Sequence, residues 1–266
     1  MSVLNQACTA VAFCLLASSA VAADRWLYKE GNALDLKSGK PLYVERHREH
    51  YRENKLLSRD VEYLCLNGQR FAEKSLKMDE DGSFVPDFFT SDWRSGYHEG
   101  VRLANDQRQV FFKRDSASLE ESAALPAAEV LVADAGFDVL IGERFNDLLD
   151  QQTLLIDFLV PSRLTTIEFR LRQVKLKQSD PSNTVRFQLA PNSAFFRLLV
   201  DPLEVNYDRE TRRLVSFEGL TNLRDLNGKN YAARIEFPES AQVQVASPND
   251  FPKLASEQLG PKQTCE

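Results

Sequence analysis

Asn230-Tyr231-Ala232-Ala233-Arg234-Ile235-Glu236-Phe237 is the stretch on which the fold is decided. Tyr231, Ala233, Ile235 and Phe237 alternate with Asn230, Ala232, Arg234 and Glu236. Successive side chains of a strand point to opposite faces, so this period of two sends one face to a core and the other to water. Two earlier stretches repeat it. Val185, Phe187 and Leu189 alternate with Thr184, Arg186 and Gln188, and Leu203, Val205 and Tyr207 with Glu204, Asn206 and Asp208. Half-exposed antiparallel strands read this way.

Between and before these runs lie hairpin turns. Asp208-Arg209-Glu210-Thr211 separates two strand-like segments, and Asn227-Gly228 supplies a tight turn. Asn54 joins Leu42–Tyr51 to Lys55–Leu66, and Asn67-Gly68 joins Leu57–Leu66 to Arg70–Met78. Asn105-Asp106 divides Gly100–Ala104 from Arg108–Arg114. From Thr165 to Lys177 the phase changes: Ile167, Phe169 and Leu171 share one face, Val174 and Leu176 the other. A bulge near Arg172 or Gln173 would reconcile them. Short strands at this spacing predict a mainly β protein, a curved antiparallel sheet or half-open β-barrel.

One amphipathic helix is predicted at about 134–149, opened by Asp134 as N-cap. Phe137, Leu140, Ile141, Phe145, Leu148 and Leu149 keep the i, i+3, i+4 rhythm. Its polar side holds Asp138, Glu143, Arg144, Asn146 and Asp147, so its apolar stripe has to lie on the sheet or in the mouth of a barrel. Residues 192–199 suggest a second short helix or an irregular turn. We read residues 23–246 as a single β-rich domain with an internal linker at 116–129, and 247–266 as an extended or mobile Pro-containing tail.

The N-terminus carries an export pattern. Residues before Asp24 are uncharged, with an apolar centre at Ala10–Ala17 and small residues leading to Ala20-Val21-Ala22-Ala23. This predicts a signal peptide over 1–22, cut after Ala22 or Ala23, although Met1–Gln6 has no Lys or Arg. The apolar centre is shorter than the roughly 20 residues of a spanning helix. No later stretch would span a bilayer, so the mature chain is expected in the periplasm, or secreted, and not integral to a membrane. Of the four cysteines, cleavage leaves Cys65 and Cys265. Either they pair in the one intramolecular disulfide available, or Cys65 is a buried strand residue and Cys265 a free thiol. The net charge of −6 argues against nucleic acid and anionic membrane surfaces, which select basic patches.

Catalytic and metal motifs are missing: there is no G-x-S-x-G, H-E-x-x-H or phosphate-cradling glycine pattern. His47 and His50 lie in a run with Arg46, Arg48 and Arg52. On a strand they point to opposite faces, so we expect a charged, solvated hairpin and no metal site. His98 is expected to be exposed or capping. No catalytic residue and no cofactor is assigned. Most of the 17 phenylalanines serve a core. In an open barrel the same inward face would line a cavity for a lipid or other apolar ligand, and Phe158, Phe169, Phe187, Phe217, Ile235, Phe137 and Phe145 are the candidates.

At Val132-Ala133-Asp134-Ala135-Gly136-Phe137-Asp138, Phe158-Leu159-Val160-Pro161-Ser162-Arg163-Leu164, Phe217-Glu218-Gly219-Leu220-Thr221-Asn222 and Asn230–Pro238 the chain resembles an uncharacterised family of exported proteins of Gram-negative bacteria. The resemblance implies a periplasmic location and carries no activity. More distantly, a curved sheet with a packed helix is similar in architecture to periplasmic lipoprotein carriers, whose helices lie near the N-terminus. Three functions follow as expectations. The first is a protein binding or carrying an apolar or amphipathic ligand on the concave face of its sheet. The second is an envelope structural or interaction protein, and the third a hydrolase of an envelope polymer.

Overall fold

The computed structural model describes residues 24–79, 82–195, 201–225 and 227–265. The proposed signal peptide with its Ala22 and Ala23 cleavage positions lies outside them, as do residues 196–199 of the second helix or turn; residues 192–195 form bends and turns.

The N-terminal half is a meander of eight strands, β1 (Asp24–Asp35), β2 (Pro41–Arg52), β3 (Lys55–Leu64), β4 (Arg70–Lys77), β5 (Asp87–Asp92), β6 (Tyr97–Ala104), β7 (Gln107–Lys113) and β8 (Glu121–Ala124). The C-terminal half runs β9 (Leu131–Val132), α1 (Gly136–Glu143), α2 (Phe145–Leu149), β10 (Leu154–Val160), β11 (Thr165–Val174), β12 (Thr184–Pro191), β13 (Leu203–Asp208), β14 (Leu214–Arg224), β15 (Asn230–Glu236) and β16 (Gln242–Val245). All belong to one curved sheet, in which β15 and β16 share one edge of β1 in tandem. Pairing is antiparallel except between β9 and β10. β8 and β9 are thus close in sequence but stand at opposite ends of the strand order. The predicted linker between them contains β8 itself.

The hairpins form where they were expected. Glu53 and Asn54 both take positive φ (50° and 66°), as do Asn105 and Asp106 (50° and 58°). Two consecutive left-handed residues match the right-handed twist of the flanking strands. The expected bulge in the Thr165 segment does not occur: β11 pairs in unbroken register with β10 and β12 and stops at Val174, leaving Leu176 exposed in a loop. The phase change marks the end of a strand.

The sheet coils on itself. Leu159 of β10, with Ala133 and Ala135, packs among Leu56, Leu76, Phe88, Val101 and Val110 of β3–β7. The 3-10 turn at Pro161–Arg163 meets β6 and β7. The β9–β10 end is therefore tucked against the inner face of the opposite half. Gly136 permits this closure, because a Cβ there would sit 1.7 Å from the Phe84 carbonyl oxygen. The helical segment has the predicted rhythm but breaks at Arg144, and its cap differs from expectation. Ala135 is the N-cap, while Asp134 (φ 44°) spends its carboxylate on Lys74 and the Ala135 N–H. Phe137, Leu140, Ile141, Phe145 and Leu148 pack against Ile156, Leu171, Val185, Phe187, Leu189 and Val205. Phe145 and Phe187 meet edge-to-face at 5.6 Å.

Two polar faces expected in water are buried. On the outer face of β12–β14, Arg186 (1% exposed) lies under the β11–β12 loop, paired with Asp180 at 2.9 Å, with Glu218 at 3.1 Å and with Glu204. Alternation assigned Arg186 to solvent; the loop covering it joins residues the strand pattern treats separately. The other exception is the inner face of β1–β6. The tail is extended and tied down: the Arg70 N–H donates to the Glu257 carbonyl, the Leu259 N–H donates to the Arg70 carbonyl, Ala255 N–H donates to Glu62, and Cys265 is disulfide-bonded to Cys65. No helix among the described residues is long and apolar enough to cross a membrane.

Candidate functional site

Along β2, Glu45, His47, Glu49 and Tyr51 share the inner face with Tyr43. This corrects the solvated-hairpin expectation, although His47 and His50 do lie on opposite faces. His50 stacks outside on Trp26 at 3.8 Å, while His47 is buried, 2.8 Å from Glu45. Burial pushes the His47 imidazole pKa down, against the opposing pull of Glu45. Glu49 has no solvent exposure; Lys29 lies 2.9 Å and Arg59 2.6 Å away, and the Tyr51 hydroxyl donates to it at 2.8 Å. Burial alone would push the Glu49 carboxyl up, but Arg59 and Lys29 outweigh it and hold it well below the usual range. Arg59 reaches on to Asp138 at 3.0 Å, and Asp138 accepts the Tyr207 hydroxyl at 2.7 Å. Asp138, read as part of the helix's water-facing side, is therefore the bridge between the helix and the charged half.

Farther along the inner face, cross-strand register places Lys74 opposite Thr90 and Thr90 opposite Glu99. Lys74 donates to Asp134 at 2.6 Å. Although burial opposes its charge, Asp134 raises the Lys74 pKa. The Tyr97 hydroxyl donates to Glu99. Burial pushes the Glu99 carboxyl up, to about 7, with the Tyr97 bond working against it. Thr90 Oγ1 is buried without a partner among the described residues.

A half-enclosed cavity of about 130 Å³ opens here, at the seam where the coiled sheet meets itself. Phe88, Phe158 and Leu159 make its apolar wall. Tyr97 and Glu99 come from β6, Asp134 from the turn before α1, and Ser162 from the 3-10 turn. The β14–β15 hairpin supplies Asn222, Arg224 and Asn230. That hairpin breaks register between Leu220 and Arg224, and its end is held by Arg94, which donates to the Arg224 carbonyl at 2.9 Å. Arg94 is itself paired with Asp92 at 2.6 Å. The Arg224 guanidinium lies over the Tyr97 ring at 4.3 Å. It makes no ion pair among the described residues, and its Nε is buried without an acceptor.

The seven predicted ligand-facing residues do not form one surface. Phe137, Phe145 and Phe187 lie inside the helix-filled core, with Phe169 and Phe217 partly buried against it. Ile235 belongs to a neighbouring cluster with Ala33, Tyr43 and Phe237. Phe158 alone among them lines the seam cavity, touching Phe137 and Phe169 edge-on at 6.2 Å. His98 sits outside, 2.9 Å from Glu120. No group of three or more His, Cys, Asp or Glu is placed to hold a metal among the described residues. Glu99 and Asp134 do share a cavity, as a carboxylate-driven hydrolase would need, but Asp134 is already taken by Lys74 and the Ala135 N–H. Sequence reading missed Tyr97, Glu99 and Arg224. One signal was present: Glu99 falls in period-two register with Tyr97 and Val101, an acid on an apolar face.

The chain matches no family model and no curated protein. Among solved structures it is similar to the crystal structure of a β-barrel-like protein of the domain of unknown function DUF1849 from Brucella abortus. The two share 10% identity over 85% of this chain and 98% of that chain, with a TM-score of 0.43.

Proposed function

We propose that this is an exported, periplasmic protein that binds an amphipathic ligand at the seam of its coiled sheet. The observation that carries the reading is one half-enclosed cavity joining an apolar wall, Phe88, Phe158 and Leu159, to the ionisable groups Tyr97, Glu99, Asp134 and Arg224. Binding sites combine apolar lining with a few convergent polar groups in this way. At about 130 Å³ the cavity is smaller than the roughly 300–1,000 Å³ of drug-sized sites, so it suits the head and first carbons of an amphiphile. Export is supported by the N-terminal signal pattern and by the Cys65–Cys265 disulfide, a bond that persists in oxidising compartments.

Native mass spectrometry of the protein released gently from a periplasmic fraction tests this. We expect a bound mass that disappears in Ser162→Trp, whose indole would fill the cavity. A clean apoprotein that also takes up no added amphiphile would refute the reading.

A second reading, an envelope interaction protein, is favoured by a separate feature of the outer face. Phe89, 40% exposed, borders an open groove of about 410 Å³ over β4–β7 with Lys77 and Arg102. Crosslinking from Phe89 to one defined envelope protein, without any small ligand, would favour it.

A further inference from the structure

The charges lining the seam cavity are unequally satisfied. Asp134 is neutralised by Lys74 at 2.6 Å, and the Tyr97 hydroxyl is given to Glu99. Arg224 is different. It lies on the Tyr97 face and 5.7 Å from the Phe112 ring centroid, hydrogen-bonds the Tyr97 side chain and feels the charge of Glu99, but its Nε is buried without an acceptor and no carboxylate of the described residues lies within ion-pair distance. A buried hydrogen-bonding group left unpaired costs free energy, and a guanidinium is the side chain best shaped to hold a carboxylate through two N–H groups. Besides Glu99 and Asp134, the polar residues lining the same cavity include the neutral Ser162, Asn222, and Asn230, whose amide nitrogen is spent on the Thr221 carbonyl at 2.6 Å.

The sum of charge points the same way. Lys74 and Asp134 cancel, which leaves Arg224 against Glu99. Glu99 is drawn toward ionisation by Arg224, but burial raises its carboxyl to about 7, so it offsets Arg224 only in part and no carboxylate reaches ion-pair distance of the guanidinium.

We infer that the seam cavity binds the carboxylate end of its ligand, with Arg224 as the anchoring cation and Phe88, Phe158 and Leu159 against the first carbons of the chain. This rests on the binding reading above and adds the sign and class of the head group. A cationic amphiphile would meet Arg224 head-on and lose its affinity; a neutral alcohol would leave the guanidinium unpaired.

The test is a set of NMR titrations of the mature chain, with dissociation constants from the backbone amides of Tyr97, Ser162, Asn222 and Asn230. The probes are hexanoate, hexanol, hexylammonium and acetate. We expect hexanoate to bind at least tenfold more tightly than hexanol or hexylammonium. Arg224→Gln should weaken hexanoate at least tenfold and leave hexanol unchanged, and Arg224→Lys should restore part of the loss. Unchanged thermal melting of both variants separates lost binding from lost folding. Hexanol or hexylammonium binding as tightly as hexanoate overturns the carboxylate assignment while the binding reading stands, and so does indifference to Arg224→Gln. Acetate matching hexanoate keeps the anion but replaces the amphiphile with a small free carboxylate. If no probe moves these amides, the binding reading itself fails, and this inference with it.

Discussion

The two halves of the inner surface are built from the same antiparallel hairpins and filled in opposite ways. Beneath β10–β14 the space belongs to α1 and α2, whose Phe137, Leu140, Ile141, Phe145 and Leu148 are buried against sheet hydrocarbon. Beneath β1–β6 the buried side chains include Lys29, Glu45, His47, Glu49, Arg59, Asp92, Arg94 and Glu99. Hydrocarbon packing contributes its free energy by leaving water; buried charges contribute only if each finds its counter-charge, since desolvation otherwise exceeds the gain. The charged half is thus the costlier one to build, and the seam cavity lies on that side. Where stability does not require charge, its presence inside is the more informative feature.

The contrast can be broken most severely from the apolar side. Phe187→Asp puts an unpaired carboxylate where there is no solvent exposure and should abolish folding, read as loss of the cooperative melt and of near-ultraviolet circular dichroism. Normal melting would show that the strand faces have been assigned the wrong way round.

Next in size is the clamp on the charged half. The disulfide closes a separation of 200 residues, for which chain entropy gives about 5 kcal/mol as an upper figure. Cys265→Ser should approach that loss in chemical denaturation, with amide exchange quickened first in β2–β4, where the tail is tied, and least at α1 and β12.

Within the charged half, Glu49→Ala strands Lys29 and leaves Arg59 with Asp138 alone, and should cost about 3–5 kcal/mol, as breaking a buried pair does. Glu49→Gln should recover part of this by keeping the Tyr51 bond. The wild-type contribution of Glu49 is present above its ordinary titration range and lost as pH falls, because its carboxyl is held low in the folded state.

Glu99 should behave in the opposite sense. Its carboxyl is raised from 4.5 to about 7, so the folded state binds the proton that the unfolded chain releases. Its contribution is complete below pH 4.5 and lost as pH rises through about 7. Glu99→Gln should remove that decline and gain about 3 kcal/mol at pH 8 relative to wild type, from denaturation at pH 4.5 and pH 8. A pH-independent difference would show that folding does not raise the Glu99 carboxyl.

The same contrast governs what could be read from sequence. The turns at Asn54 and Asn105-Asp106 were legible because positive φ selects few residue types, and the strands because Val185, Phe187 and Leu189 alternate cleanly. The helix was legible from its stripe even though it breaks at Arg144. Alternation distinguishes two faces without saying what covers each. It therefore sent Glu45, His47 and Glu49 to water, when coiling of the sheet places them inside, and Arg186 too, when a loop closes over it. The cavity was illegible for a related reason: Phe88, Glu99, Asp134, Phe158 and Arg224 meet only because the β9–β10 end tucks under β3–β7. That closure depends on long-range packing for which no local period exists.

The most direct measurement is a crystal structure of the mature protein grown with hexanoate. The account predicts ligand density at the seam, its carboxylate on Arg224 and its chain against Phe88 and Phe158, with the helix core undisturbed. Density lodged instead among Phe137, Phe145 and Phe187, or a seam left unoccupied at saturating hexanoate, would contradict it.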